Sequence, residues 1–300
     1  MSSKIVYEVT KEHEGKKLRE YIRGIANFSG RLTSKTAKEG RISINGKVAW
    51  LSDILHCGDI IEVELSREES QDIEPEKMDL DIVYEDSDII IVNKSPGIVV
   101  HPTRSYPSGT LANGLLYYFR EKGENCIVRL VSRLDMDTSG LIIIAKNQYS
   151  HMALAREMQG DSFVKSYMAI VHGNMNPKSG TIDLPIYKPS DESINRIVDE
   201  RGQRSITHFN VLQSFGNADL VKLTLGTGRT HQIRVHLSHL NHPIYGDNLY
   251  CSEDDSNIIS RQALHAYKLT FPHPRTNEII NLETDLPKDM HKLINLINTN

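Results

Sequence analysis

The sequence is poor in the residues that build cross-linked or cysteine-bound metal scaffolds. Its 300 residues contain three cysteines (Cys57, Cys126 and Cys251) and no Cys-x-x-Cys pair. Scattered cysteines of this kind exclude a disulfide framework and a cysteine zinc site. They are typical of reduced thiols in a cytosolic protein.

Long apolar runs and nucleotide-binding glycine motifs are also missing. The longest purely apolar stretches, such as Leu141–Ala145, are strand-sized and too short to span a bilayer. Residues 1–17 have no apolar h-region and therefore predict no secretory signal. Neither G-x-G-x-x-G nor G-x-x-x-x-G-K-[ST] occurs, so nothing predicts a nucleotide cofactor. These observations predict a cytoplasmic protein without membrane association.

The charge balance excludes one kind of nucleic-acid binding. The formal net charge is −4, so the chain as a whole is not attracted to RNA or DNA, and any such binding must use local basic patches. Hydrophobic residues make up 39% and charged residues 25%, as in an ordinary globular protein with a sizeable core. A chain of this length suits two domains.

Hydrophobic periodicity and turn signals divide the chain at an acidic stretch. Residues 1–66 predict a small αβ domain, with strands at 4–9, 40–47 and 60–65, helices at 16–25 and 32–38, and a hairpin turn at Asn45-Gly46. Residues 67–80 open a stretch rich in Asp and Glu and predict a solvated linker. Residues 81–300 form the larger domain.

The larger domain mixes strands and helices without a regular βαβ alternation. Strands are predicted at 82–84, 89–93, 141–146, 163–172, 206–213, 219–226 and 263–271, and helices at 109–121, 148–158, 230–240 and 287–297. Unequal connections and runs of consecutive strands predict an α+β fold with a mixed, largely antiparallel sheet.

The most informative segment is VSRLDMDTSGLIIIAKN, residues 131–147, which sets an arginine and two carboxylates in a loop before an apolar strand. Loops anchored by a rigid strand often carry catalytic groups. The spacing from Asp135 is similar to a calcium loop, but Lys146 stands where that loop needs Glu. An aspartyl phosphatase nucleophile and a plain capped turn both remain open from these residues alone.

Residues 226–242, GTGRTHQIRVHLSHLNH, form a second constellation. Ile233, Leu237 and Leu240 give an apolar stripe that predicts a helix over 230–240. Four histidines raise the possibility of zinc, but no H-E-x-x-H accompanies them, so metal is not predicted. A helix that contacts phosphate is favoured instead, because arginines flank His231.

The third constellation is FVKSYMAIVHG, residues 163–173. Lys165 and Tyr167 lie two residues apart and therefore share one face of the predicted strand. A single strand tyrosine is more often a packing residue with a satisfied hydroxyl than a catalyst.

Together, and in their order along the chain, these three segments resemble the RluA-type pseudouridine synthases. DIIIVNKSPGIVVHPT before them and RQALHAYKLTFPHP after them extend the resemblance over about residues 80–285. The N-terminal KKLREYIRG, GRISINGKV and GDIIEVEL are similar to an S4 RNA-binding domain. Two positions depart from the family pattern: Ser132 replaces the usual His, and the usual Lys-Pro-x-Gly becomes Lys94-Ser95-Pro96-Gly97.

The resemblance implies isomerisation of uridine to pseudouridine in RNA, without cofactor or metal. Asp135 matches the catalytic acid, which either attacks C1′ or removes a 2′ proton, and these two pathways stay open. Arg234 matches the arginine that pairs with this acid. Tyr167 matches the tyrosine that stacks on the base and serves as general base for the C5 proton.

RNA is the implied partner, with large-subunit ribosomal RNA favoured and transfer RNA left open, and the enzyme is expected to be a monomer. Arg133 would fill the space left by a flipped uridine. The other residues expected to contact RNA are Lys94, Lys165, Arg229 and His231 in the larger domain and Lys35, Lys38 and Arg41 in the smaller one. The alternative is an RNA-binding ribosome-assembly factor that has lost catalysis.

Overall fold

The computed structural model describes residues 4–65 and 71–299 and shows a small N-terminal unit followed by a larger one. The elements of the N-terminal unit are β1 (Lys4–Glu8), α1 (Leu18–Gly24), α2 (Gly30–Lys38), β2 (Ile42–Ile44), β3 (Lys47–Val48) and β4 (Ile60–Glu64). Its strands form an antiparallel sheet in the order β1-β4-β2-β3. Leu18 and Ile22 of α1 and Leu32 of α2 pack into one core with this sheet.

The larger unit contains the remaining elements. They are β5 (Ile82–Glu85), β6 (Ile89–Lys94), α3 (Leu111–Glu121), β7 (Arg129–Leu130), β8 (Ser139–Ala145), α4 (Gln148–Glu157), β9 (Val164–His172), β10 (Ser179–Asp183), β11 (Ile186–Tyr187), β12 (Ile197–Val198), β13 (Ile206–Phe215), β14 (Ala218–Leu225), α5 (Gln232–His239), β15 (Leu264–Pro272), β16 (Ile279–Glu283) and α6 (Lys288–Thr299). Every strand and helix that the sequence predicted in the larger unit is present, with ends shifted by a few residues.

Ten strands of the larger unit form one mixed sheet. Its main path is β10-β13-β14-β9-β15-β8-β6-β5, with β16 added to β15 and β7 added to β8. In this sheet β15 and β8 run parallel, and the other pairs are antiparallel. The prediction of an α+β protein with a mixed, largely antiparallel sheet is confirmed.

The centre of this sheet explains why the loop before β8 is held firmly. All seven residues of β8 are buried, because one sheet face packs against α3 and the other against α4 and Phe271. A strand covered on both faces has an apolar run instead of alternation. The loop that carries Asp135 therefore leads directly into a rigid central strand.

The acidic stretch is not a solvated linker throughout. Residues 67–70 lie outside the described residues, but residues 71–80 pack against the larger unit. Glu76 donates its backbone N–H to the carbonyl of Asn113, and the Asn113 amide donates to the carbonyl of Glu74. Ile73 and Leu80 join the core around α3. For residues 71–80 the linker prediction was wrong, because the apolar residues between the charges pack against the larger unit.

The N-terminal unit contacts the larger one through aromatic and ionic groups. The rings of Phe28 and Tyr149 lie 4.8 Å apart between centroids. Arg275 donates to both carboxylate oxygens of Asp88 at 2.7 and 2.9 Å and to the carbonyl of Lys4 at 2.7 Å. Among the described residues, no helix combines the length and apolarity that crossing a membrane requires.

Candidate active site

A cavity of about 830 Å³ opens beside the loop before β8. Its walls come from that loop, from β9, from the turn before α5 and from residues 99–103. The volume falls within the range of pockets that hold drug-sized ligands. The cavity brings together seven residues that the sequence analysis selected: Arg133, Lys165, Arg229, His231, Asp135, Tyr167 and Arg234.

The carboxylate of Asp135 is the single acidic group among the residues that line this cavity. Its Oδ2 accepts a hydrogen bond from Nη1 of Arg234 at 3.1 Å, and Nε2 of His231 lies 3.8 Å from the same oxygen. Among the described residues, none donates a hydrogen bond to Oδ1. The side chain is 29% exposed, so one carboxylate oxygen is anchored and the other remains available to a substrate.

Arg234 is fixed by a second carboxylate behind it. Its Nε and Nη2 donate to Oδ2 and Oδ1 of Asp247 at 2.7 and 2.6 Å, a two-pronged pairing that fixes the guanidinium plane. The side chain of Asp247 is fully buried and also accepts from the backbone N–H groups of Leu249 and Tyr250. Burial of Arg234 acts to lower the pKa of its guanidinium. The hydrogen bonds and charges of Asp247 and Asp135 outweigh burial and hold this pKa above its ordinary value.

The turn before α5 places His231 against Asp135. His231 has a left-handed backbone with φ of 58°, which few residues other than glycine adopt. Gln232 stabilises this turn, because its amide oxygen accepts from the backbone N–H of Arg229 and its amide nitrogen donates to the carbonyl of Ile206. Nδ1 of His231 hydrogen-bonds with the Tyr250 hydroxyl at 2.7 Å. Burial lowers the pKa of His231, so at neutral pH it is an uncharged ring.

Tyr167 forms part of the cavity wall from strand β9. It is 7% exposed, and the strand places it on the same face as Lys165. Burial, and then the negative charge of Asp135, raise the pKa of the Tyr167 hydroxyl. Tyr167 therefore keeps its proton at neutral pH, and a role as general base requires that the proton leave first.

The remaining charges of the cavity are positive. The lysines and arginines that line it are Arg133, Lys165, Arg196, Arg229 and Arg234. Five cations and one carboxylate make the cavity locally positive. The cavity therefore attracts a polyanion, although the chain as a whole carries a negative net charge. Burial lowers the pKa of Lys165.

Two predicted RNA contacts are corrected by the structure. Lys94 is 2% exposed, and its Nζ donates to the carbonyls of Ser95, Ile98 and Met136 at 2.9, 2.9 and 2.7 Å. Burial lowers the pKa of Lys94 to about 7. Its ammonium is enclosed by backbone oxygens and is not available to RNA.

Arg41 is the second correction. It binds the carboxylate of Glu39 through Nε at 2.8 Å and the carbonyl of Glu64 through Nη1 at 2.6 Å, and its side chain is 13% exposed. Its guanidinium therefore holds the N-terminal sheet together. Lys35 and Lys38, by contrast, are exposed on α2, and their contact with RNA stays a prediction.

Sequence reasoning missed three residues of the site. Asp247 fixes Arg234, Tyr250 fixes His231, and Arg196 lines the cavity from the segment just before β12. Asp247 and Tyr250 lie just beyond the segment 226–242, and no pattern in the sequence gave them a role. Nothing in the sequence around Arg196 distinguishes it from a surface residue.

Comparison with known proteins agrees with this fold and site. The profile of the family described as RNA pseudouridylate synthase matches residues 88–239. The RNA pseudouridine synthase YlyB of Bacillus subtilis, itself described as uncharacterized, is 37% identical over 295 residues, 97% of each chain. Ribosomal large subunit pseudouridine synthase D of Yersinia pestis is 36% identical over 272 residues, which cover 86% of this chain and 83% of that one.

A solved structure is similar as well. Human RNA pseudouridylate synthase domain containing 4 superposes with a TM-score of 0.59 and 25% sequence identity, over 71% of this chain and 92% of that one. The mixed sheet and its acid-arginine site thus define an RNA-modifying isomerase. The chain belongs to the RNA pseudouridylate synthase family, whose members convert uridine in RNA to pseudouridine.

Proposed function

We propose that Asp135 starts the isomerisation of a uridine in large-subunit ribosomal RNA. The observation that carries this proposal is the placement of the single cavity carboxylate, which has one oxygen bound to Arg234 and the other open to the cavity. A carboxylate in this position can act as the nucleophile that forms a covalent sugar-enzyme intermediate, as in retaining glycosidases. It can equally remove a 2′ proton.

The reaction balances without a cofactor. The bond from N1 to C1′ breaks, the uracil turns, and C5 bonds to C1′. C5 loses its proton to solvent and N1 gains one, so the product has the atoms of the substrate. Because C1′ and C5 are inaccessible inside a helix, the uridine must leave the stack, and Arg133 at the exposed rim is suited to occupy its place.

Tyr167 has two candidate roles in this scheme. Its ring is placed to stack on the uracil, which needs no change of protonation. Its hydroxyl can accept the C5 proton only after giving up its own, because burial and Asp135 raise its pKa. The charge of Asp135 favours the protonated phenol before the reaction starts. We therefore assign stacking on the uracil to the RNA complex before reaction, and proton transfer to a step after Asp135 has reacted.

Ribosomal RNA is supported as the substrate by a relative. The Yersinia pestis relative that covers 86% of this chain is described as acting on the large ribosomal subunit. The exposed Lys35 and Lys38 on α2 would extend the RNA contact beyond the cavity, as expected of an S4-like domain. The three cysteines are free thiols, which suits a cytoplasmic enzyme, and we expect it to act as a monomer.

Tritium release from RNA labelled at C5 of uridine tests the proposal. The enzyme is mixed with labelled large-subunit ribosomal RNA in the presence of EDTA. We expect wild type to release tritium and Asp135→Asn to release about a thousandfold less or none, since the amide cannot act as nucleophile or base. Asp137→Asn, two residues along the same loop, is the matched control and should retain activity.

Each other outcome counts against a stated part of the proposal. Release that persists in Asp135→Asn would remove Asp135 from the reaction. Sensitivity to EDTA would show that the reaction or the folded RNA needs a divalent cation. RNA binding without release from any ribosomal or transfer RNA would point to an assembly factor that has lost catalysis.

A further inference from the structure

The residues that follow Asp135 are held one by one from elsewhere in the chain. Four consecutive residues, the last of them the first of β8, each bond to one polar side chain that is at most 4% exposed. These pairs are Lys94 Nζ to the Met136 carbonyl (2.7 Å), Arg261 Nη1 to the Asp137 carbonyl (3.1 Å), Gln262 Nε2 to Thr138 Oγ1 (3.2 Å) and His265 Nδ1 to Ser139 Oγ (2.9 Å).

Three of the four holding side chains come from one short segment, residues 261–265. The position of this segment therefore decides where the catalytic loop lies. Gln262 and His265 are buried at the start of β15, whereas Arg261 reaches toward the C-terminal helix. The pairing of β15 with β9 and β8 fixes one end of this segment, and Arg261 at the other end has a further fixed point outside the sheet.

Helix α6 provides that fixed point. Arg261 donates from Nε to Oδ2 of Asp289 at 2.6 Å and from Nη2 to Oδ1 at 2.9 Å. Asp289 lies in the first turn of α6, where a negative charge suits the helix dipole. Met290 and Leu293 of the same helix are fully buried in the core that also contains Tyr167 and Ile233. Through Nη1, the same guanidinium donates to the carbonyl of Asp137, two residues after Asp135.

We propose that the Arg261–Asp289 ion pair is a positioning clamp, which transmits the placement of the C-terminal helix to the catalytic loop and so sets Asp135 against Arg234. Neither Arg261 nor Asp289 lines the cavity. The clamp therefore acts on the geometry of the reacting carboxylate and not on RNA affinity. The inference rests on the role proposed for Asp135.

The clamp predicts a separation of kcat from KM. In Asp289→Asn the side chain keeps its shape but loses its charge, so the two-pronged pairing weakens and we expect Arg261 to hold the loop carbonyl less firmly. We expect kcat to fall by about tenfold to a hundredfold, because small misplacements of a reacting group have effects of this size. KM for RNA should stay within about twofold, since no cavity residue changes.

Asp183→Asn is the matched control. Asp183 also pairs with one arginine through both oxygens, at 2.7 to 3.2 Å from Arg204, and its side chain is 42% exposed against 39% for Asp289. Asp183 does not contact the catalytic loop. We expect wild-type kcat and KM for this variant, whereas Asp289→Glu should restore most of the kcat that Asp289→Asn loses.

Hydrogen exchange of the peptide over residues 131–145 gives a readout that does not depend on activity. In Asp289→Asn the amides of this peptide should exchange faster than in wild type, while Asp183→Asn leaves them unchanged. If wild type shows no isomerase activity, the proposed function fails, but the exchange rates still decide whether the clamp holds the loop.

The clamp is overturned by any of three results. The first is a folded Asp289→Asn enzyme with wild-type kcat and wild-type exchange. The second is a rise in KM at unchanged kcat, which would make Asp289 an RNA contact. The third is wild-type kcat in a folded Arg261→Lys enzyme. This variant is used if Asp289→Asn does not fold, because lysine keeps the charge but cannot bind Asp289 and the loop carbonyl at the same time.

Discussion

Three lysines that sequence analysis assigned to RNA binding have opposite environments in the two units of the molecule. In the larger unit, Lys94 is 2% exposed and gives its three N–H bonds to three carbonyls. In the N-terminal unit, Lys35 and Lys38 are exposed on α2. Among the described residues, neither of these two ammonium groups has an ion-pair partner.

This difference follows from what each region has to do. A reacting carboxylate must be held to within a fraction of an ångström, so the catalytic loop is surrounded by buried polar groups whose own partners are fixed. Contacts with a phosphate backbone depend on charge and tolerate movement, so long lysines on an exposed helix serve well. Buried cations organise the active site of this enzyme, and exposed cations are left to attract RNA.

The largest expected effect concerns the buried polar groups around the catalytic loop, and it is a loss of stability in acid. His265, which holds Ser139, is 1% exposed, and burial followed by the charge of Arg261 lowers its pKa from 6.5 to about 4. A histidine whose pKa is lowered binds fewer protons folded than unfolded, so its stabilising effect is complete above pH 6.5 and is lost as the pH falls toward 4.

We expect this histidine to remove about 3 kcal/mol from the free energy of unfolding across that window. Urea denaturation at several pH values between 7 and 4 measures the loss. His265→Gln cannot titrate, so its free energy of unfolding should fall less steeply over the same range. Equal slopes for the two proteins would show that His265 is not held neutral by burial.

Lys94→Met gives the next largest effect. Methionine fills a similar volume but leaves the Met136 carbonyl without its donor, so the loop loses one of its four holding contacts. We expect kcat to fall by about tenfold to a hundredfold, with KM for RNA unchanged within about twofold. Steady-state tritium release over a range of RNA concentrations separates the two constants.

The matched control for Lys94 is Lys165→Met. Lys165 lines the cavity on β9, so its loss should raise KM. If Lys94→Met also raises KM at unchanged kcat, Lys94 contacts RNA after all, and the burial seen here is not that of the working enzyme.

Local sequence patterns predicted the fold well for a physical reason. Each long strand and helix has a clear hydrophobic period, and the Asn45-Gly46 turn allows little but a hairpin. Strands β10 and β16 were missed because each has only five residues and lies at the margin of the sheet, where packing decides its state. Segments as short as these carry little periodic signal.

Site residues that belong to a sequence motif could be predicted. Site residues that are defined by tertiary contacts could not. Asp135 and Arg234 are 99 residues apart, and the family resemblance joined them before the structure did. The environment of Lys94 could not be predicted, since a lysine two residues before a Pro-Gly turn has no sequence mark of burial. The pairing of Arg261 with Asp289 depends on the packing of α6, which no local pattern encodes.

The smallest effect is expected in the N-terminal unit. Removing Lys35 and Lys38 together, as Lys35→Ala/Lys38→Ala, should weaken RNA binding about threefold to tenfold and lower the slope of log affinity against log salt by about two. The value of kcat at saturating RNA should not change, because α2 does not contribute to the cavity. Fluorescence anisotropy of labelled ribosomal RNA fragments, titrated at several salt concentrations, measures both affinity and slope.

Lys288→Ala/Lys292→Ala is the charge-matched control, because it removes two exposed lysines from helix α6 of the larger unit. It should leave the salt slope at the wild-type value. If the two double variants weaken binding equally, RNA responds to net charge alone. In that case α2 is not a defined contact, and the contrast between buried organising cations and exposed binding cations would hold for the catalytic unit but not for the N-terminal one.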